Sequence, residues 1–281
     1  MADLDGIERT ALLTAALRAA ETRRPDRLYD DPYAAVFAGE LGPRLLAEVH
    51  AATFPPDGRT LPSTPDYNAI RTRFFDEYLV AAAAEFDQIV VAPTGMDSRA
   101  FRLEWPRRIR MFEIDRPAVL AVKSEILGVA VAAVDRRTVA TDLKKDGWER
   151  ALIAAGYEPD RPSVWLIEGL LYYIPEPDVH RILTVVEGLT APGSLVAADV
   201  VNRAALTLPN MQGLLNLFSG WGCPWLFGTD EPEALFARHG IKAEAVQPGE
   251  PSADYGRWPD PVPPRSEIDV RRVYFVHGTR V

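Results

Sequence analysis

Between Gln88 and Asp115 the chain sets out an apolar run, Gln88-Ile-Val-Val-Ala92, and then a turn around Gly95. A polar helix start at Asp97-Ser-Arg99 follows, and a second apolar run, Arg110-Met-Phe-Glu-Ile114, ends on Asp115. This is the order of a nucleotide-binding βαβ unit, in which a glycine lets the backbone approach the ligand and an acid at the second strand end accepts from ribose hydroxyls. A pyrophosphate cradle needs G-x-G-x-x-G, whereas Pro93-Thr-Gly-Met-Asp-Ser98 holds one glycine. The turn therefore disfavours a dinucleotide and suits a nucleoside ligand without phosphates, of which S-adenosylmethionine is the commonest.

Further acids stand at comparable places. Asp97 follows the first strand, Asp142 follows the third, and Glu168 with Gly169 ends the fourth, although the strands themselves are nearly all apolar. In an open α/β sheet these positions share the carboxyl edge where ligands bind. An acidic rim there suits a ligand carrying a sulfonium, an ammonium, an exocyclic amine and ribose hydroxyls.

The elements that position these groups follow from periodicity. Leu4 to Ala20 has helical spacing and is broken by Glu21 to Asp26, and Asp31-Pro32 opens a second helix with Asp31 as cap. Phe54 to Pro65 is a loop, and Asn68 to Phe86 returns to helix. Residues 1–86 thus read as a helical cap. From 87 to 281 short apolar strands near 88–92, 109–114, 137–141, 163–167 and 194–199 alternate with helices, which predicts an α/β, doubly wound, mainly parallel sheet. Val270 to His277 reads as an antiparallel strand closing it, Pro251 to Pro264 as a long loop, and the aromatic stretch near 202–228 as an inserted lid.

With 281 residues, 47% of them hydrophobic, the chain can bury one large core. A net charge of −9 disfavours nucleic acid or an anionic membrane as partner. The one cysteine, Cys223, excludes an internal disulfide and fits a cytoplasmic setting. No run reaches the ~18 to 20 apolar residues of a membrane span. The histidines at 50, 180, 239 and 277 show no ligand spacing, so no metal is expected.

Six segments together resemble the leucine carboxyl methyltransferase family, in its actinobacterial small-molecule branch of S-adenosylmethionine-dependent enzymes. They are Arg24-Pro-Asp-Arg-Leu-Tyr-Asp-Asp-Pro-Tyr33, Ile70-Arg-Thr-Arg-Phe-Phe-Asp76, Gly95-Met-Asp-Ser-Arg-Ala-Phe-Arg-Leu103, Phe112-Glu-Ile-Asp-Arg-Pro117, Asp142-Leu143 and Glu168-Gly-Leu-Leu-Tyr-Tyr-Ile-Pro175. The resemblance implies a class I methyltransferase fold, Rossmann-like, with a helical N-terminal lid. It also implies that Arg71 holds the methionine carboxylate, Gly95 lines methionine and ribose, and Asp115 holds the ribose hydroxyls. Asp142 would accept from the adenine amine with Leu143 on the ring, and Glu168 would face the α-amino group or sulfonium. The chain departs from the family at Pro93-Thr94, where small residues are usual; Thr94 offers a hydroxyl in exchange.

The expected activity is O-methyl transfer to a carboxylate or hydroxyl of a small molecule, such as a polyketide. Tyr172 and Tyr173 are the candidate catalytic residues, as phenols facing the transfer site. Phe218, Trp221 and Trp225 are the candidate acceptor contacts, because large apolar side chains can grip an aromatic molecule. Two alternatives stay open: a cofactor-binding protein that has lost methyl transfer, and an NAD-type oxidoreductase. The oligomeric state, with a homodimer among the options, also stays open.

Overall fold

A computed structural model of the chain describes residues 6–53 and 64–281. The helices are α1 (Gly6–Thr22), α2 (Ala34–Ala38), α3 (Leu41–Thr53), α4 (Thr64–Ala82), α5 (Arg99–Arg102), α6 (Pro117–Leu127), α7 (Trp148–Ala154), α8 (Glu176–Leu189), α9 (Gln212–Gly220) and α10 (Pro232–Ala237). The strands are β1 (Gln88–Val91), β2 (Arg110–Asp115), β3 (Asp135–Ala140), β4 (Val164–Ile167), β5 (Leu195–Val201), β6 (Ile241–Val246) and β7 (Val273–Arg280). They form one sheet in the order β3-β2-β1-β4-β5-β7-β6. Strands β1 to β5 run parallel, and β7 runs antiparallel between β5 and β6.

The central strands explain themselves. Gln88–Val91 and Val164–Ile167 are buried at every position, as strands covered by helices on both faces must be. One face packs against α8, whose Val179, Ile182, Leu183, Val186 and Leu189 recur at helical spacing and are buried. The other face receives Ile70, Phe74, Phe75 and Leu79 of α4 in a cluster with Ile89, Val91, Leu166 and Phe275. Within the segment expected as a cap, α4 therefore belongs to the sheet's own core. β1 lies between β2 and β4, so the strand order reverses beside it and a crevice opens at the carboxyl ends of β1 and β4.

Asp31-Pro32 does not open a helix. Asp31 accepts from the backbone N–H groups of Tyr33 and Ala34, and the helix begins at Ala34. The second expected helix is two, α2 and α3, parted at Gly39 with its φ of 54°. The closing strand lies three residues later than expected, at Val273–Arg280. Its partner β6 was not expected at all: Lys242 and Glu244 interrupt it, and only Ile241 and Ala245 are buried. The inserted stretch near 202–228 consists of two 3-10 turns, Arg203–Leu206 and Pro209–Met211, followed by α9. It packs against α3 and α1 through Leu13, Leu17, Leu45, Leu214 and Phe218. Among the described residues no helix is long and apolar enough to cross a membrane.

Candidate active site

The crevice is built first by the turn after β1. The Ala92–Pro93 peptide is cis and Gly95 takes a φ of +45°. Thr94 N–H donates to the Ile114 carbonyl at 2.9 Å, which ties the turn to β2. The carboxylate of Asp115 accepts from Gly95 N–H at 2.7 Å and from Arg116 N–H at 2.8 Å. Burial raises the Asp115 pKa, and those two bonds with the charges of Arg116 and Lys123 only partly oppose it. An acid in this state gains from further donors such as ribose hydroxyls. Beneath the turn the Thr94 hydroxyl accepts from Lys123 Nζ at 2.8 Å, and that fully buried ammonium also pairs with Glu113. Thr94 thus has its hydroxyl proton left to offer toward the crevice.

Cations and carboxylates alternate along the rest of the wall. Arg71 reaches Asp199 at 2.8 Å and Glu168 at 3.0 Å. Arg99 reaches Asp76, Asp97 and Glu168, so Glu168 bridges two guanidinium groups. Arg102 pairs with Asp76, and Arg18 of α1 pairs with Asp31. Burial opposes the charge on Arg71, but Tyr67, Glu168 and Asp199 outweigh it and hold its pKa well above the ordinary value. Asp97 accepts from Arg99 N–H at the start of α5 and pairs with the Arg99 side chain. Capping and pairing are its structural role, while both residues also line the crevice. A zwitterion that brings its own carboxylate and cation meets complementary charge of both signs here.

Of the residues singled out in the sequence, Arg71, Thr94, Gly95, Asp115, Glu168, Tyr172 and Tyr173 line one crevice. Asp142 and Leu143 do not. Asp142 accepts from Lys144 N–H at 2.9 Å, and the Leu143 side chain turns into the core with Val139 and Trp148. Helix α1 adds Thr10, Ala11, Thr14 and Arg18 to the wall, a contribution that no motif announces because these side chains are ordinary for a surface helix.

A second cavity shares Thr10, Thr14, Arg71, Tyr172 and Tyr173 with the crevice. Beyond that shared wall Leu13, Tyr67, Leu214, Phe218 and Trp225 line it. The Phe218 and Trp225 rings stack at 5.9 Å, and the Tyr172 ring lies 5.0 Å from Trp225. Trp221 is not in the wall; it stands behind Phe218 and donates to Glu48 at 3.1 Å. Burial raises the pKa of both Tyr172 and Tyr173, and the charge of Asp199 adds to this at Tyr172. At neutral pH both phenols are therefore protonated and act as neutral hydrogen-bonding groups.

Asp199 was missed in the sequence. It is fully buried, and it accepts from Gly169 N–H at 2.6 Å, Arg71 at 2.8 Å and Tyr67 at 3.0 Å. One acid inside the run Leu195-Val-Ala-Ala-Asp-Val-Val201 was the available signal. The fold also brings together two histidines that are distant in sequence, His180 and His239, at 3.0 Å. Among the described residues no group of three or more metal-ligating side chains occurs.

A family described as leucine carboxyl methyltransferase matches residues 11–187. A protein of Parafrankia sp. (strain EAN1pec) bearing the name "Putative S-adenosyl-L-methionine-dependent methyltransferase" is 43% identical over 230 residues, covering 76% of this chain and 72% of that protein. Among solved structures, a DUF574 family protein from Streptomyces avermitilis aligns with a TM-score of 0.59 at 13% identity, over 92% of this chain and 97% of that one. The CurJ carbon methyltransferase aligns with a TM-score of 0.53 at 14% identity, over 97% of this chain and 67% of that one. Likeness at such identities concerns the fold alone.

Proposed function

The chain belongs to the leucine carboxyl methyltransferase family and is an S-adenosylmethionine-dependent methyltransferase; from that premise we propose that it methylates a carboxylate or hydroxyl oxygen of a small molecule, such as a polyketide, held in the aromatic cavity. The observation that carries this reading is the wall of Thr10, Thr14, Arg71, Tyr172 and Tyr173 common to crevice and cavity. It would bring a nucleophile in one chamber against a donor in the other.

The strand order supports an arrangement of the cofactor along the crevice. Asp115, ending β2, would take the ribose hydroxyls, with Gly95 leaving room beside it. Arg71, Thr94 and Glu168, on the β1 and β4 side, would take the methionine end. The adenine would then lie toward the next strand, β3, after which Asp142 offers an acceptor. When bound, S-adenosylmethionine supplies a methyl group on a sulfonium, which becomes a neutral thioether once the methyl has left. A carboxylate acceptor has no proton to lose, whereas a hydroxyl gives its proton to solvent. Tyr173, being neutral, would orient the acceptor by donating a hydrogen bond, Tyr172, whose hydroxyl donates to Asp199, would pack beside it, and Phe218 and Trp225 would exclude water around it. Alignment of this kind supplies up to roughly 7 to 11 kcal/mol of a barrier. The buried Cys223 is compatible with a reducing, cytoplasmic setting.

Calorimetric titration with S-adenosylmethionine, S-adenosylhomocysteine and NAD tests the cofactor arrangement. Micromolar binding of the first two, none of NAD, and loss of binding in Asp115→Ala are expected. Unchanged affinity in that variant would refute the arrangement. An acceptor screen by transfer of labelled methyl then tests the chemistry, and a product methylated on carbon or nitrogen would refute O-methylation.

A further inference from the structure

The acceptor cavity is lined by two cations, Arg71 and Arg271, and by no carboxylate. Arg71 is neutralised from outside the cavity by Asp199 and Glu168. Arg271 is not. The buried arginines of the site region, Arg18, Arg99 and Arg102, each hold a carboxylate, as does Arg257, and neighbouring Arg272 bonds to the carbonyls of Val270 and Pro264. Among the described residues no carboxylate lies within ion-pair distance of Arg271, although the chain carries 40 acids. Asp260 and Asp269, which line a separate proline-rich cleft that Arg271 also borders, do not reach it either. Burial lowers the Arg271 pKa, and the only group that opposes this is Tyr67, itself a cavity residue. Arg271 is half-buried, so its guanidinium is open to the cavity without a counter-ion, and a planar anion offered to its fork gains charge-assisted hydrogen bonds there.

Resting on the methyl-transfer reading above, we propose that Arg271 anchors a carboxylate of the acceptor, and that the oxygen receiving the methyl is a different atom of the same molecule. Arg271 belongs to the part of the cavity that the cofactor crevice does not share, so an anion held there lies away from the transfer site. A carboxylate clasped by guanidinium is also a weakened nucleophile. The cavity lining also holds Phe218, Trp225, Tyr67 and Leu214, which fit an apolar or aromatic body. The implied substrate class is a hydroxy acid with its hydroxyl and carboxylate at opposite ends.

The test uses full-length protein saturated with S-adenosylhomocysteine, titrated calorimetrically with 4-hydroxybenzoate, 4-hydroxycinnamate and their neutral methyl esters. Acids are expected to bind more tightly than esters. Arg271→Met should weaken the acids by about ten- to a hundredfold and leave the esters unchanged. Arg271→Lys should recover part of the loss, since a point charge lacks the fork. S-adenosylhomocysteine affinity should be equal in wild type and both variants. Failure of S-adenosylhomocysteine to bind wild type would count against the cofactor arrangement instead. With that ligand bound, equal affinity for acids and esters, indifference of the acids to Arg271→Met, or no binding of either acid would overturn the assignment.

Discussion

Asp97 and Asp115 line the same crevice, and burial acts on both, with opposite results. Asp97 touches the Arg99 guanidinium; burial pushes its carboxyl up, but Arg99 and Lys123 outweigh that and hold it at about 2. Asp115 has only backbone donors in contact and ends above the ordinary value. The signs of the two consequences follow. The folded pKa of Asp97 lies below its unfolded value near 3.8, so its contribution to stability, roughly 2 kcal/mol, is present above that value. It is lost as pH falls from about 4 to about 2. Denaturant unfolding across this range should show Asp97→Asn with a flatter acid limb than wild type. Asp115 must be ionised to accept ribose hydroxyls, so cofactor affinity should be full above its raised pKa and fall as acid protonates it. Asp115→Asn should bind about ten- to a hundredfold more weakly and lose that pH dependence, as calorimetry at several pH values would reveal. Asp115, Gly95, Arg71 and Glu168 were legible because they stand beside strand ends or inside a recognisable segment. Asp199 was not, since its partners Tyr67, Arg71 and Gly169 lie far along the chain. Nor does the pair Arg271-Arg272 reveal in sequence which guanidinium is tied to carbonyls and which is left to a cavity.

At the scale of elements, the acceptor wall depends on how closely α9 lies on α3. Gly213 makes that approach possible, because a Cβ there would stand 2.4 Å from the Ala52 carbonyl oxygen. Neither atom is the end of a flexible side chain, so Gly213→Ala must move one helix. A cost of about 1 to 3 kcal/mol is expected, read as a lowered Tm. Because α9 carries Leu214 and Phe218 into the cavity, the variant should also lose acceptor affinity while S-adenosylhomocysteine affinity holds. An equal loss for both ligands would show that α9 does not act on the acceptor chamber alone. The helix itself was hidden within a stretch legible only as aromatic and glycine-rich. Strand β6 was hidden for a different reason: Ile241 and Ala245 are its only buried side chains, too few to mark a period of two. The parallel strands were legible because burial on both faces requires continuous apolar runs.

For the whole molecule, the question is whether the sheet can stand without the segment before it. The break in sequence character near residue 86 separates helical spacing from alternating strands, yet packing does not follow that break. Ile70, Phe75 and Leu79 of α4 are at most 0% exposed and sit in one cluster with the sheet residues Ile89, Val91, Leu166, Ala197 and Phe275. Removing α4 would bare one face of the central strands. Burying a single large apolar side chain contributes roughly 1.5 to 3 kcal/mol, so the loss of Ile70, Phe74, Phe75 and Leu79 together approaches the whole stability of a typical domain, about 5 to 15 kcal/mol. Helix α1 is bound into the site in another way, since it supplies wall residues to both chambers. A fragment of residues 87–281 is therefore expected to lack a cooperative thermal transition, whereas residues 64–281 should keep one while failing to bind S-adenosylhomocysteine. Differential scanning calorimetry and titration of the two fragments distinguish these roles. Cooperative unfolding of the shorter fragment would show that α4 only covers a sheet able to fold by itself, and cofactor binding by the longer one would show that α1 is dispensable to the crevice.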